Sequence, residues 1–379
     1  MKKIMIVFGT RPEAIKLAPV INALQKEKKF KTIVCSTGQH REMLKQVLDI
    51  FDLKVDDDLD LMKQSQTLYD ITSNSLIRLK ISLEKYKPDL LMVQGDTTTA
   101  FTSALAAFYK QIKIAHVEAG LRSYDVFHPY PEEVNRRFIS VISDFNFVPT
   151  VDSKNNLLQE GFQKETIYVT GNTVVDALLQ IKLKLDKPKF AAQIKSNLES
   201  KYGRDLFKKK FILITLHRRE KFGDEMVKLL RSLGQLAKKY SEYNFVYPVH
   251  LNPNVMKPVR DILSKTKNYI LTEPLDYLNF LYLMKQCHFI MSDSGGVQEE
   301  CFVFKKPIIV MRDITERNEA IKAGYAFLTG SDKEKILSRF TEIDSKLKNG
   351  FNFFTTKNPY GDGKASARIL KILKQKMLS

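Results

Sequence analysis

Two carboxylates, Asp96 and Glu118, each follow closely behind a short β-branched run, with a helix-length segment between them. The runs Asp89–Val93 and Ile112–Val117 read as strands and the residues around 98–110 as a helix, which makes one βαβ unit. Crossovers in parallel sheets are right-handed, so both acids arrive at the same sheet edge, within reach of one ligand. Neighbouring carboxylates can have their pKa values driven apart and so supply a base and an acid. That suits proton removal from carbon, or the holding of a hydroxyl-rich ligand; a strand-end turn or a salt bridge is the plainer alternative. Glu132 and Glu133 follow in the segment His128-Pro129-Tyr130-Pro131-Glu132-Glu133. Proline at a first helical turn with acids behind it is also an ordinary helix start, and capping is the favoured reading of these two taken alone.

A second group of residues points to phosphate. Ser292-Asp293-Ser294-Gly295-Gly296 follows a strand and opens a helix. Paired glycines let a backbone approach a ligand closely, and a helix start offers free N–H groups. Glu300, one turn further on, could accept hydrogen bonds from a ribose diol. Arg11, Lys16, Arg218 and Arg317, all at or near strand ends, could complete a diphosphate clamp. His217, directly behind the run Phe211–Thr215, is the best-placed histidine, with His250 and His40 in comparable positions. No GxGxxG or Walker A element occurs, which speaks against a nicotinamide cofactor or a P-loop ATPase. Nothing resembles HExxH or a three-ligand zinc pattern, so no metal and no cofactor are expected.

The elements that must position these groups alternate along the whole chain. Strand-like runs in the first half are Ile4–Phe8, Thr32–Ser36, Asp89–Val93, Ile112–Val117, Asp144–Val148 and Ile167–Val169. In the second half they are Phe211–Thr215, Asn244–Pro248, Tyr269–Thr272, Phe289–Ser292 and Pro307–Met311. Helix-length segments between strands imply an α/β fold with parallel sheets. Polar or ionisable residues follow nearly every strand, so two such edges facing each other would line an interdomain cleft. Between the two series lies a lysine-rich, apolar-poor stretch from Lys182 to Lys210, and the boundary between domains is expected just before it.

Length and composition bound the remaining possibilities. At about 150 residues per domain, 379 residues imply two or three domains, and 44% hydrophobic with 27% charged residues is the balance of a chain that buries a core. No apolar run approaches the roughly 18 residues of a membrane span. The start, MKKIMIVFGTRPE, imitates a signal peptide, but its apolar stretch is short and runs into Arg11 and Glu13, so it reads as a strand. Three widely spaced cysteines offer no disulfide framework, and a cytoplasmic setting is expected. The net charge of +18 is spread along the chain, 46 lysines stand against 15 arginines, and no nucleic-acid-binding signature accompanies them. Neither nucleic acid nor membrane is an expected partner.

Ten segments together carry a resemblance. They are FGTRPEAIKLAP (8–19), TGQHREML (37–44), QGDTTTA (94–100), HVEAGLRS (116–123), PYPEEVNRR (129–137), TGNTVVDAL (170–178), LHRREKFG (216–223), SDSGGVQEE (292–300), RDITER (312–317) and NPYGDGKAS (358–366). In order and at matching spacing, nearly end to end, they resemble the bacterial non-hydrolysing UDP-N-acetylglucosamine 2-epimerases. The resemblance implies two Rossmann-like domains in the glycosyltransferase-B arrangement, with a UDP-sugar between them. It implies an N-terminal domain over 1–172, a UDP-binding domain over 173–363 and a C-terminal helix, about 364–379, that returns to the first domain. It implies reversible C2 epimerisation of UDP-N-acetylglucosamine to UDP-N-acetylmannosamine through a 2-acetamidoglucal, in service of cell-surface polysaccharide, by a homodimer.

By the same resemblance Asp96, Glu118 and Glu132 form the acid/base cluster and His217 works at the diphosphate and sugar. Arg11, Lys16, Phe280, Ser294, Gly295, Gly296, Glu300 and Arg317 bind the UDP-sugar, with Phe280 near the uracil. Some relatives carry an activating second UDP-sugar site. Gln39, His40 and His250 match it, but Glu42 and Ser65 replace its Gln and Arg, so strong activation is not expected. Asn318 stands where the family commonly has proline, and Leu275 where a Gln often lies. The competing readings are a 2-epimerase of a modified UDP-N-acetylhexosamine, a hydrolysing 2-epimerase, a glycosyltransferase of the same fold, and a nucleotide-sugar sensor or basic nucleic-acid binder.

Overall fold

The structure is a computed structural model that describes residues 1–38, 41–61, 66–217, 222–315 and 317–378, with backbone alone at 41–43. Two compact units divide the chain: Met1–Ala177 with Tyr360–Ser379, and Leu178–Pro359. The crossing from one to the other falls inside the helix Thr173–Leu185.

The first unit holds a seven-stranded parallel sheet of β1 (Lys2–Phe8), β2 (Phe30–Ser36), β3 (Asp57–Asp58), β4 (Leu90–Gln94), β5 (Lys113–Val117), β6 (Phe145–Val148) and β7 (Ile167–Val169). Their spatial order is β3-β2-β1-β4-β5-β6-β7. The second unit holds six parallel strands: β8 (Phe211–Thr215), β9 (Asn244–Pro248), β10 (Tyr269–Thr272), β11 (Ile290–Ser292), β12 (Ile308–Val310) and β13 (Ala326–Leu328). Their order is β10-β9-β8-β11-β12-β13. Both are Rossmann-like, and in each the winding direction reverses beside the first strand, between β1 and β4 and between β8 and β11. Ligands of open α/β sheets bind at that reversal.

Central strands covered on both faces should read as unbroken apolar runs, and Ile4–Phe8, Leu90–Val93 and Phe211–Ile214 are buried throughout. One face of the first sheet packs Met5, Val7, Leu91, Val93 and Ile114 against helices that contribute Leu79, Leu83, Ala104, Ala107 and Ile139. Two strands have no counterpart among the runs read from the sequence. β3 is two aspartates, too short and polar to show a pattern, and β13 is Ala326–Leu328; each lies at the edge of its sheet.

The last helix, Ala365–Met377, belongs to the first unit for reasons visible in its contacts. The Asp176 carboxylate accepts the N–H groups of Ala365 (3.1 Å) and Ser366 (2.9 Å) and the Ser366 hydroxyl (2.6 Å). It thereby serves as a cap supplied by another helix, satisfying donors that a helix start leaves open. Arg368 donates to the Thr170 carbonyl at 3.0 Å and forks onto Asp362, and Lys374 Nζ lies 2.5 Å from Glu27. Gly361, at φ +129°, comes so close to Gly171 that a Cβ would stand 3.4 Å from the Gly171 Cα. Among the described residues no helix is long and apolar enough to cross a membrane.

Candidate active site

In the first unit the loops after β1, β4 and β5 meet at the sheet reversal. Thr10 caps the helix Arg11–Gln25 in a capping box with Glu13. Glu13 is buried, and one of its oxygens accepts from Gly9 N (3.1 Å), Thr10 N (2.7 Å) and the Thr10 hydroxyl (2.7 Å). Its other oxygen accepts the Thr97 hydroxyl at 2.7 Å, tying the loop after β1 to the loop after β4 across the reversal. Burial pushes the Glu13 carboxyl above the usual glutamate range, against the opposing pull of Thr10, Thr97 and Gly9.

Asp96 and Glu118 emerge at this edge as the crossover argument requires, and each is held by a different cation. Lys16, from the helix behind β1, places Nζ 2.7 and 2.5 Å from the two oxygens of Glu118, which also accepts from Gln94 Nε2 at 3.1 Å. Glu118 has φ +67°, a left-handed conformation that costs a non-glycine residue roughly 1–2 kcal/mol. The Asp96 carboxylate pairs with the Arg136 guanidinium, while its carbonyl accepts from Asn135 Nδ2 at 2.9 Å. Arg136 is buried and also donates to Glu133 at 3.2 Å. His116 lies beneath, fully buried, with Nε2 2.8 Å from the Gly95 carbonyl. Burial lowers its pKa to about 4, so the ring is neutral at pH 7 and Nε2 carries the proton given to Gly95.

The helix Glu132–Ile142 starts at Glu132, which is half-buried. Its neighbour Glu133 is fully buried and accepts the Ser123 N–H at 3.0 Å besides the Arg136 contact. Glu133 is thus more than a cap: it fixes the guanidinium that Asp96 meets. Arg11 stands half-buried at the opening of the helix Arg11–Gln25.

The second unit repeats the arrangement with different chemistry. Thr215 pairs with Ser292 in register, and their hydroxyls lie 2.6 Å apart. His217 follows β8 and meets Asp293, which follows β11 and is fully buried; Nδ1 lies 3.0 Å from one carboxylate oxygen. The ring centroids of His217 and His250 are 6.2 Å apart, and His250 Nδ1 accepts the Asn252 N–H at 3.1 Å. Ser294 heads the short helix Gly295–Glu300 without using its side chain as a cap.

The two glycines divide their labour. A Cβ on Gly295 would stand 3.4 Å from the Arg317 guanidinium carbon, whereas the nearest atom to one on Gly296 is Ser294 Oγ at 3.9 Å. Gly295 is buried against the arginine, whereas Gly296 is exposed. Arg317 Nε donates to the buried Glu299 at 2.8 Å. The Tyr277 hydroxyl donates to Glu300 at 2.9 Å, and half-buried Phe280 follows one turn along the same helix, Tyr277–Gln286.

The residues expected from the sequence are Asp96, Glu118, Glu132, Arg11 and Lys16 in the first unit and His217, Phe280, Ser294, Gly295, Gly296, Glu300, Arg317 and His250 in the second. Lys16, expected from the resemblance to bind the UDP-sugar, pairs with Glu118. Arg136 and Glu133 join the groups of the first unit, and Asp293 and Tyr277 those of the second, without having been assigned such roles from the sequence. Arg136 meets Asp96, Asp293 meets His217 and Tyr277 meets Glu300 across 23 to 76 positions, which no local motif reveals. Gln39, His40 and Arg218 lie outside the described residues. Among the described residues no group of three or more His, Cys, Asp or Glu converges as metal ligands would.

The sequence model of the UDP-N-acetylglucosamine 2-epimerase family matches residues 22–374. The chain is 49% identical to the UDP-N-acetylglucosamine 2-epimerase of Neisseria meningitidis over 98% of its own length and 99% of that protein. It is 46% identical to the enzyme of that name from Escherichia coli K12, with both chains covered in full. A crystal structure of the Neisseria meningitidis enzyme bound to UDP-GlcNAc superposes with a TM-score of 0.93 at 48% identity, covering 99% of this chain and 100% of the other.

Proposed function

The chain belongs to the UDP-N-acetylglucosamine 2-epimerase family, and on that premise we propose that it interconverts UDP-N-acetylglucosamine and UDP-N-acetylmannosamine without a cofactor. The C2 hydrogen of the sugar is not adjacent to a carbonyl, so simple deprotonation leaves an unstabilised carbanion. An elimination avoids it. A carboxylate removes the C2 proton, the C–H electron pair becomes the C1=C2 bond, and the C1–O pair departs with UDP. The 2-acetamidoglucal and UDP stay bound. Addition in reverse, with the proton delivered to the opposite face of C2, gives the epimer. Bonds broken and formed balance, and no electron acceptor is consumed.

The observation that carries this reading is the pair Asp96 and Glu118, delivered by successive strands to one edge and held by different cations, Arg136 and Lys16. Two carboxylates with separate partners are suited to separate protonation duties. The second unit's His217, Ser294, Gly296, Glu300 and Arg317 supply a diphosphate and ribose clamp that retains UDP after bond cleavage, with Phe280 near the uracil and Arg11 assisting. Glu132 is the third member of the acid/base cluster. Gln39, His40 and His250 are the residues a second, regulatory UDP-sugar would use. The product is an activated N-acetylmannosamine, which fits use as a donor for cell-surface polysaccharide in the cytoplasm.

The partner is a second copy of the chain. Ile77, Ile81, Phe108, Tyr109, Phe138 and Val141 are exposed on three helices that pack side by side in the first unit, and the Phe101 and Phe138 rings meet at 5.6 Å. An apolar face of that breadth is what self-association covers. Sedimentation of wild type against Ile77→Lys tests it: a dimer that the substitution splits supports the reading, and a wild-type monomer overturns it.

Proton NMR of the protein with UDP-N-acetylglucosamine in D2O tests the activity. UDP-N-acetylmannosamine carrying deuterium at C2 is the expected result. Accumulation of free N-acetylmannosamine with UDP would assign it to hydrolysis, and no reaction with UDP binding intact would assign it another UDP-sugar or a glycosyl transfer.

A further inference from the structure

We propose that Asp293 is a positioning residue that locks the imidazole of His217 into the tautomer with the proton on Nδ1, leaving Nε2 as the working nitrogen. This rests on the reading that His217 acts where the diphosphate meets the sugar. β8 and β11 are parallel neighbours, with Thr215 opposite Ser292, so the loops carrying His217 and Asp293 leave the sheet side by side. Asp293 is held from both ends. Its N–H donates to the Thr215 carbonyl at 3.2 Å, and one carboxylate oxygen accepts the backbone N–H of His217 at 2.9 Å. Its other oxygen then lies 3.0 Å from His217 Nδ1.

The contact is an ion-pair distance and not an aligned hydrogen bond; because a carboxylate offers only acceptors, the state it favours is the one in which the facing nitrogen bears the hydrogen. The side chain of Asp293 is wholly buried while that of His217 is 41% exposed, so the orienting group is shielded and the far side of the ring is open to a ligand. A third group that orients a catalytic histidine in this way serves the same purpose on unrelated folds.

The backbone contact dictates what the amide variant must do. In Asp293→Asn the amide oxygen must keep accepting the His217 N–H, which turns the NH2 group toward Nδ1. Nδ1 must then accept, and the proton moves to Nε2. Long-range 1H–15N spectra of the full-length protein read the tautomer directly, with the His217 signals assigned by their loss in His217→Asn. We expect Nδ1–H in the wild type and Nε2–H in Asp293→Asn, with turnover down about a hundredfold or more and UDP affinity within about twofold. Nε2–H in the wild type overturns the proposal without any Asp293 variant. Retention of Nδ1–H or of full turnover in Asp293→Asn also overturns it. In a His217→Asn background the Asp293 substitution should cost nothing more, and a further loss there would show that Asp293 acts by another route. The tautomer needs no substrate, so the spectra decide this question even where UDP-N-acetylglucosamine is not turned over.

Discussion

Lys16 Nζ lies 2.7 and 2.5 Å from the two carboxylate oxygens of Glu118, across 102 positions of sequence. The ammonium is centred on the carboxylate, both side chains are largely buried, and the backbone of Glu118 is held in a left-handed conformation to present it. A conformation that costs energy and a buried ion pair together mark a place where geometry is maintained for chemistry.

Replacing either proposed acid/base carboxylate should separate catalysis from binding. Glu118→Gln and Asp96→Asn preserve shape and remove charge, and each is expected to lower turnover by about a thousandfold while UDP affinity stays within about twofold. Calorimetric titration with UDP beside a D2O exchange assay checks this. Full activity in both variants would sink the acid/base assignment. Lys16→Met strands Glu118 without its main cation and should cost roughly 2–4 kcal/mol of stability as well.

The clamp should respond the other way. Arg317→Ala is expected to weaken UDP binding by about ten- to a hundredfold. Because Arg317 also pairs with buried Glu299, its unfolding midpoint should fall too. Gly295→Ala would place a methyl in van der Waals contact with the guanidinium at 3.4 Å, so it should weaken UDP by less, with little change in stability. Unchanged UDP affinity in Arg317→Ala would remove that residue from the clamp.

His116 gives a pH dependence with a definite sign. Its pKa is about 4 in the fold against an ordinary 6.5, because burial disfavours the charged ring. Unfolded chains therefore bind the extra proton first as pH falls. Its stabilising contribution is complete above about pH 6.5 and is lost progressively down to about pH 4, a change on the order of 3 kcal/mol. Its ring signals should show no protonation at pH 5.5, and titration there near 6.5 would contradict the buried, Gly95-bound ring.

Glu13 has the opposite sign. Its raised value means that its contribution is complete below the ordinary value of 4.5 and is lost as pH rises through the folded value. Glutamine can keep the oxygen that accepts from Gly9 and Thr10 and turn its NH2 toward Thr97, whose hydroxyl has Thr99 3.0 Å away as an alternative partner. Glu13→Gln should therefore be at least as stable as wild type at pH 7, with the difference growing as pH rises from 4.5 through the folded value. Glu13→Ala, which leaves the Gly9 and Thr10 donors unmet, should lose about 2 kcal/mol. Urea unfolding across that range measures both.

The sequence by itself determined most of what is local. Eleven apolar runs lie on or across eleven of the thirteen strands among the described residues, since a strand buried on both faces has to be apolar along its length. A polar loop follows each of β1, β4, β5, β8 and β11, and the residue types in those loops suffice to mark the ligand edge. Capping chemistry at Thr10-Glu13 and the helix start at Glu132 are equally local. What spacing cannot carry is which loops meet. That Lys16 reaches Glu118, that Arg136 bridges Asp96 and Glu133, that Asp293 faces His217 and that Asp176 caps a helix almost 190 positions later all depend on strand order. The sheet decides them, because β1 lies beside β4 and β8 beside β11 only after the crossovers have formed. A buried charge can be kept only where the fold delivers its partner, and that delivery is a property of the tertiary structure alone.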